Sequence, residues 1–134
     1  MSLKVFLSGA IEGVGDYGSF WRKLATKSLH LAGYDVLDPM KIPDTEYQTA
    51  REIVEKNLFM QRRADIILVE YMIPNRPYIG TDFELAWAKF NNQPAVVFCC
   101  EENKDRVYLK YMATKLASCM QDAIEYIAIN YPSN

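Results

Sequence analysis

An α/β fold, a parallel sheet with helices on both faces, is what this sequence predicts, and three observations predict it. Short β-branched runs alternate with longer segments of helical spacing along the 134 residues. The run Ile66-Ile67-Leu68-Val69 is apolar at every position, as a strand covered on both faces must be. Glycines, prolines or charged clusters punctuate each alternation, so successive strands are joined through helices, the connection a parallel sheet requires.

The elements follow in order. Lys4 to Gly9 reads as the first strand, running into a loop with four glycines, Gly9, Gly13, Gly15 and Gly18. Ser19 to Ala32 has helical spacing, with Phe20, Trp21, Leu24, Leu29 and Leu31 as its apolar residues, and Gly33 fits its C-cap. Tyr34 to Leu37 is a short second strand stopped by Asp38-Pro39. Pro43 and Asp44 lead into a second helix expected over about residues 46–63. Asp65 opens the central strand and is expected to anchor a loop by hydrogen bonds, since a bare carboxylate there is costly. Asn75-Arg76-Pro77 breaks the pattern, and a third helix opens at Gly80-Thr81-Asp82-Phe83-Glu84. Ala95 to Cys99 is a fourth strand. Val107 to Ser118 fits a helix, a strand or both, and Met120 to Ile129 is an amphipathic helix. The sum is a single Rossmann- or flavodoxin-like α/β domain over residues 1–134, with a parallel sheet of about five strands.

Composition narrows the function classes. A net charge of −2 and a pI near 5.4 give no basic field to hold a phosphate backbone, so nucleic acid is not an expected partner. No apolar run has the length of a membrane span, so no membrane partner is expected either. The three cysteines, Cys99, Cys100 and Cys119, lack CxxC spacing and accompany no secretory leader, which places the chain by expectation in the cytoplasm with reduced thiols. His30 is the one histidine and lies in a helical pattern, so no metal site is expected.

Two stretches carry chemistry, each with a plainer alternative. The glycine-rich loop after the first strand could cradle a phosphate or ribose with its backbone N–H groups, or be a flexible surface loop. It matches neither G-x-G-x-x-G nor a P-loop, and Glu12 and Asp16 make it acidic. Thr81 to Glu84 reads as a capping box, with Thr81 as the cap and Glu84 reaching back to the cap amide. The same glutamate sits after the carboxyl end of a central strand, where α/β folds bind ligands. A carboxylate at a helix N-terminus is expected to stay ionised, as a nucleophile must. Tyr71, Met72, Tyr78 and Trp87 cluster nearby and fit either base stacking or a core.

Taken together, KVFLSGAIEG (4–13), GYDVLDP (33–39), NLFMQRRADIILVE (57–70), GTDFELAWA (80–88), QPAVVF (93–98) and MQDAIEYI (120–127) resemble the nucleoside 2-deoxyribosyltransferase-like family, which includes deoxynucleoside 5′-monophosphate N-glycosidases. The resemblance spans nearly the whole chain. It implies N-glycosidic bond cleavage or transfer on a nucleoside or nucleotide, with Glu84 as the nucleophile at C1′. It also implies no cofactor, a small-molecule substrate, and a homodimer or larger homo-oligomer. The substrate would be held by Phe6, by Gly9, Ala10, Ile11, Glu12 and Gly13 of the loop, and by Asn57, Tyr78, Gly80 and Asp82.

The chain departs from the family pattern at several of these positions. Phe6 stands where the family has a tyrosine that orients the nucleophile. Asn57 stands where active members carry an aspartate that helps protonate the leaving base, and an amide cannot act as a general acid. Tyr78 stands in place of aspartate or serine, and Glu12 where phosphate-using members can have arginine. The acidic loop predicts free nucleosides over phosphorylated ones. Two alternatives remain open beside the enzyme: a catalytically silent nucleotide-binding or sensing protein, and a structural subunit on the same scaffold.

Overall fold

The computed structural model describes residues 2–11, 13–42 and 44–133. Its elements in chain order are β1 (Lys4–Ser8), α1 (Ser19–Leu31), β2 (Asp35–Leu37), a 3-10 turn at Pro39–Lys41, α2 (Ala50–Arg62), β3 (Ile66–Tyr71), α3 (Ile79–Phe90), β4 (Ala95–Cys99), α4 (Val107–Met112), β5 (Lys115–Ala117) and α5 (Met120–Asn130). The five strands are all parallel and lie in the order β2-β1-β3-β4-β5, the flavodoxin-like arrangement. The chain steps from β1 outward to β2, then returns past β1 to β3. The carboxyl ends of β1 and β3 therefore flank the switch point, where such sheets open a crevice.

Strand alternation divides the core into two layers. Val5 and Leu7 pack with Ala25 and Leu29 of α1 and Ile124 and Ile127 of α5. Phe6, Ile67 and Val69 pack on the opposite face with Leu85 of α3 and Leu109 and Met112 of α4. Met60 of α2 joins this second layer. Every residue of β3 and β4 is buried, which accounts for the apolar runs Ile66 to Val69 and Ala95 to Cys99.

The element boundaries follow local chemistry. The helix expected over about 46–63 starts later, at Ala50, because Thr49 accepts from the Glu52 amide while Glu52 bonds back to the Thr49 amide, a complete capping box. The ambiguous stretch after Arg106 is both elements, α4 and then β5. Gly33 takes a left-handed φ of 94° just past α1, the conformation that ends the helix. Asp65 accepts from the Lys4 amide at 2.8 Å, tying the starts of β1 and β3. Phe20 and Leu31 of α1 are 67% and 82% exposed, while Arg22 is buried in their place. Among the described residues, no helix is long and apolar enough to cross a membrane.

Candidate functional site

Glu84 lies in the second turn of α3, and the capping box expected from its spacing does not form. The helix begins at Ile79, earlier than the sequence predicts, with Tyr78 at the N-cap and no side chain capping it. Thr81 is buried inside the first turn instead of capping. Side chains on a helix lean toward its N-terminus, so the Glu84 carboxyl tips back toward the carboxyl ends of the strands. There Ser8 Oγ donates to Glu84 Oε1 at 2.5 Å. Burial pushes the Glu84 carboxyl up to about 7, against the downward pull of the Ser8 hydrogen bond and the Arg22 guanidinium. This reverses the expected depressed value. The carboxyl lies past the turn whose free amides would stabilise its charge, and desolvation dominates.

Ser8 was not singled out in the sequence, yet its position explains a departure. Phe6 is fully buried in the second core layer and carries no hydroxyl. Ser8 follows two residues later on the same side of β1 and brings a hydroxyl to the glutamate. The period of the strand was the available signal.

A second carboxylate, Glu70, is the penultimate residue of β3 and is 6% exposed. Its Oε1 accepts from the Ala10 amide at 3.1 Å, and its Oε2 from the Met72 amide and the Tyr78 hydroxyl, both at 2.7 Å. Glu70 thus joins the glycine loop to the segment entering α3. Tyr78 also accepts from the Ile73 amide and stacks on Tyr71 with ring centroids 4.0 Å apart. Both tyrosines are buried, and burial followed by a carboxylate hydrogen bond raises each phenol's pKa. Of the two readings for this aromatic cluster, Tyr71 and Tyr78 take the core one.

The remaining residues named from the sequence fall in three places. Asp82 is two residues from Glu84, about 200° around the helix. It accepts from the Tyr71 hydroxyl at 2.6 Å, beside Arg106, so it does not share Glu84's face. Gly80 is exposed in the first turn of α3 with nothing close to it. Asn57 lies on α2, and its buried Oδ1 has no hydrogen-bond partner. One turn along, Gln61 Nε2 donates to the Glu84 carbonyl at 2.8 Å. Since α2 and α3 both run away from the carboxyl ends of the strands, Asn57 is one turn nearer that end than Gln61. In the loop, Ala10 is buried, Ile11 half-buried and Gly13 exposed. Glu12 lies outside the described residues.

The loop's amides are partly claimed from within. Asp16 accepts from the Gly18 amide at 2.8 Å and the Phe20 amide at 3.0 Å, and these bonds hold its carboxyl below the ordinary value. A carboxylate of the chain therefore occupies the start of α1, where a phosphate would bind. Beside Gly13, however, stands Arg76, whose Nη1 would be 3.9 Å from a Cβ at that position. Among the described residues, no group of His, Cys, Asp or Glu could hold a metal ion. A groove of about 420 Å³ runs along β5 and α5, lined by Lys115, Asp122, Glu125 and Tyr126, but its charged side chains are exposed to solvent. The Ser8–Glu84 pair, partly buried at the switch point, is the stronger candidate.

No family model and no curated protein matches the sequence. Solved structures do match the fold. A conserved protein from Enterococcus faecalis V583 superposes with a TM-score of 0.80 at 11% identity, covering 96% of this chain and 99% of its own. A 2-deoxyribosyltransferase from Bacillus psychrosaccharolyticus gives 0.75 at 16% identity, covering 98% and 97%. A CMP N-glycosidase from Clostridium botulinum gives 0.64 at 12% identity, covering 94% and 98%. This chain shares their fold.

Proposed function

We propose that this chain cleaves or transfers the N-glycosidic bond of a nucleoside, with Glu84 as the nucleophile. The observation that carries the reading is the Ser8–Glu84 hydrogen bond at the switch point, a hydroxyl holding a partly buried carboxyl whose pKa is about 7. Likeness of fold to a 2-deoxyribosyltransferase and a CMP N-glycosidase supports it. In this reading the ionised carboxylate attacks C1′, a C–O bond forms, and the C1′–N bond breaks with its electron pair leaving on the base. Water then releases the sugar, or a second base takes it, through an oxocarbenium-like transition state as in a retaining glycosidase. Ser8 does the orienting that Phe6 cannot. Asn57 on α2 has a buried carbonyl oxygen with no partner among the described residues, able to accept a hydrogen bond but not to protonate a leaving group.

Unphosphorylated nucleosides are the substrates this reading favours, because Asp16 already takes the amides at the start of α1. Arg76 beside Gly13 is the feature that favours a phosphate instead. The chain would work as a homo-oligomer: Ile79, Phe83 and Phe90 of α3 and Val107, Tyr108 and Tyr111 of α4 are exposed large apolar residues on neighbouring helices. A specific observation also favours a silent nucleotide-binding protein, namely the absence of a proton donor at Asn57.

The test is a chromatographic search for free base. Wild type and Glu84→Ala are incubated with ribo- and deoxynucleosides and their 5′-monophosphates, with and without an acceptor base. The expected result is base release by wild type alone, rising with pH through about 7 as Glu84 ionises. Preferred turnover of a monophosphate, abolished by Arg76→Ala, would replace the nucleoside with the nucleotide. Nucleotide binding with no release from any substrate would favour the silent binder.

A further inference from the structure

The outward faces of α1 and α5 carry opposite charge, and the glycosidase reading uses neither. In α1, Phe20, Leu24, Lys27 and Leu31 fall within about 60° of one another around the helix axis. All four are exposed, opposite the buried Ala25 and Leu29. Lys23 lies beside Lys27, one turn back, and is exposed as well. The helix contains no acidic residue, and Asp16 ahead of it is taken up by the Gly18 and Phe20 amides. An apolar stripe edged with lysines and turned to solvent marks an interaction surface.

On α5, Asp122, Glu125, Tyr126 and Ile129 share one arc, turned away from the buried Ala123, Ile124 and Ile127. This helix contains no basic residue. The same four side chains line the groove of about 420 Å³ beside β5, so the arc opens onto a recess. Lys115 is the cation of that groove, its ammonium 5.7 Å from the centre of the Tyr126 ring, against the two carboxylates.

Both helices lie in contact on one face of the sheet and run the same way, since each returns from a strand of a parallel sheet. Their carboxyl ends are level. The Tyr34 hydroxyl, just past α1, is 2.6 Å from the Tyr131 carbonyl and 3.3 Å from the Ile127 carbonyl, and Ser133 Oγ donates to the Gly33 carbonyl at 2.9 Å. Counting back at equal rise, Leu31 comes about level with Ile129, Lys27 with Glu125 and Lys23 with Asp122.

We propose that α1 and α5 together form a homodimer face, whose occupant is a second copy of this chain. A two-fold axis parallel to the helices and between them lays each α1 on the partner's α5 at the same height. Lys23 and Lys27 then meet the partner's Asp122 and the partner's Glu125, Leu31 meets the partner's Ile129, and every contact occurs twice. Laying α1 on α1, or α5 on α5, would oppose like charges, so charge selects the pairing. A face about 20 Å long and two helices wide is on the scale of a standard interface, roughly 800 Å² per partner. It lies on the opposite side of the sheet from the exposed apolar residues of α3 and α4. The proposal therefore stands whether or not the chain cleaves a glycosidic bond.

The mass of the full chain in solution, by sedimentation velocity across concentration and salt, tests this. One variant reverses α1 (Lys23→Glu with Lys27→Glu), a second reverses α5 (Asp122→Lys with Glu125→Lys), and a third carries all four changes. The four positions are exposed, so the fold should be kept, and circular dichroism checks it. Wild type should associate, less tightly as salt rises. Each two-site variant alone opposes like charges at both contacts and should raise the dissociation constant at least about tenfold. An equal mixture of the two restores opposite charges at both contacts and should recover the wild-type value, as should the fourfold variant. Should the α1 reversal not fold, Leu31→Lys places a charge in the stripe and should weaken association in its stead.

A two-site variant that associates as well as wild type would overturn the proposal and assign the association to α3 and α4. A mixture no tighter than its components, or a wild type that stays monomeric at low salt, would overturn it too. Binding of a monomeric wild type to anionic vesicles, lost on reversing α1, would give the stripe to a membrane surface instead.

Discussion

Two carboxylates lie near the carboxyl ends of the strands, and their surroundings differ in one respect. Among the described residues Glu70, next to last in β3, has three hydrogen-bond donors on its two oxygens: two backbone amides and a phenol. Glu84, a turn and a half into α3, has one among them, the Ser8 hydroxyl. Glu70 is committed to joining the glycine loop to the entry of α3. Glu84 carries a buried carboxyl with most of its accepting capacity free, which is why desolvation governs its proton. A buried acid that the fold has fully satisfied is architecture. One that the fold has left short of donors is available to a substrate.

Changing each acid should sharpen this contrast. Glu70→Gln has the largest expected effect on stability. An amide in place of Oε2 would face two donors, and at least the Met72 amide would lose its partner. Chemical denaturation should show a loss of about 2–3 kcal/mol. Equal stability would mean that Glu70 is not the tie between the two loops.

Glu84→Gln should act in the opposite direction. The folded carboxyl, near 7, lies above its reference value of 4.5, so the native state holds this proton more tightly than the unfolded chain does. Its contribution is fully present below about 4.5 and is lost as pH rises through about 7. Glutamine carries no such dependence. The variant should therefore gain on wild type between about pH 5 and pH 8, reaching about 1–3 kcal/mol, read as a Tm difference that widens with pH. A gap that does not change with pH would break the contrast.

Ser8→Ala is the smallest change. It removes a hydrogen bond that favours the ionised form, so the Glu84 midpoint should rise and kcat/KM fall by about tenfold, a loss of about 1.4 kcal/mol. Kinetics across pH would separate the two. An unchanged profile would remove Ser8 from the site.

How far the sequence reveals this arrangement depends on the range of the interaction. The strand pattern of β3 and β4, the glycine after α1 and the parallel topology follow from local periodicity and turn chemistry. The start of α2 was just as local, in the Thr49–Glu52 capping box, yet the expected start at about residue 46 passed over it. The same reasoning misplaced Thr81 and Glu84. Their spacing is that of a cap, but Thr81 is drawn into the core and the helix begins at Ile79. What decides Glu84's role is Ser8, which meets it only through folding. Arg22 escaped notice for a related reason: a charged residue amid helical spacing reads as solvent-facing. Here Phe20 and Leu31 face outward and the arginine is buried against loop carbonyls that no periodicity announces. The hydrogen bond from Gln61 to the Glu84 carbonyl likewise depends on how α2 lies along α3, a tertiary relation.

The strand order also sets a sequence of events in time. β1 lies between β2 and β3, and its register pairs Val5 with Val36 on one side and with Ile66 on the other. Strand pairings this distant along the chain make folding slow, because loop closure precedes the contacts that reward it. As the chain emerges from the ribosome, β1 has an unpaired edge until β3 has been made, and Ser8 has no glutamate to hold until α3 follows. The Ser8–Glu84 hydrogen bond therefore forms only once α3 has followed β3, and a probe placed on it would report the docking of α3 at the end of β1.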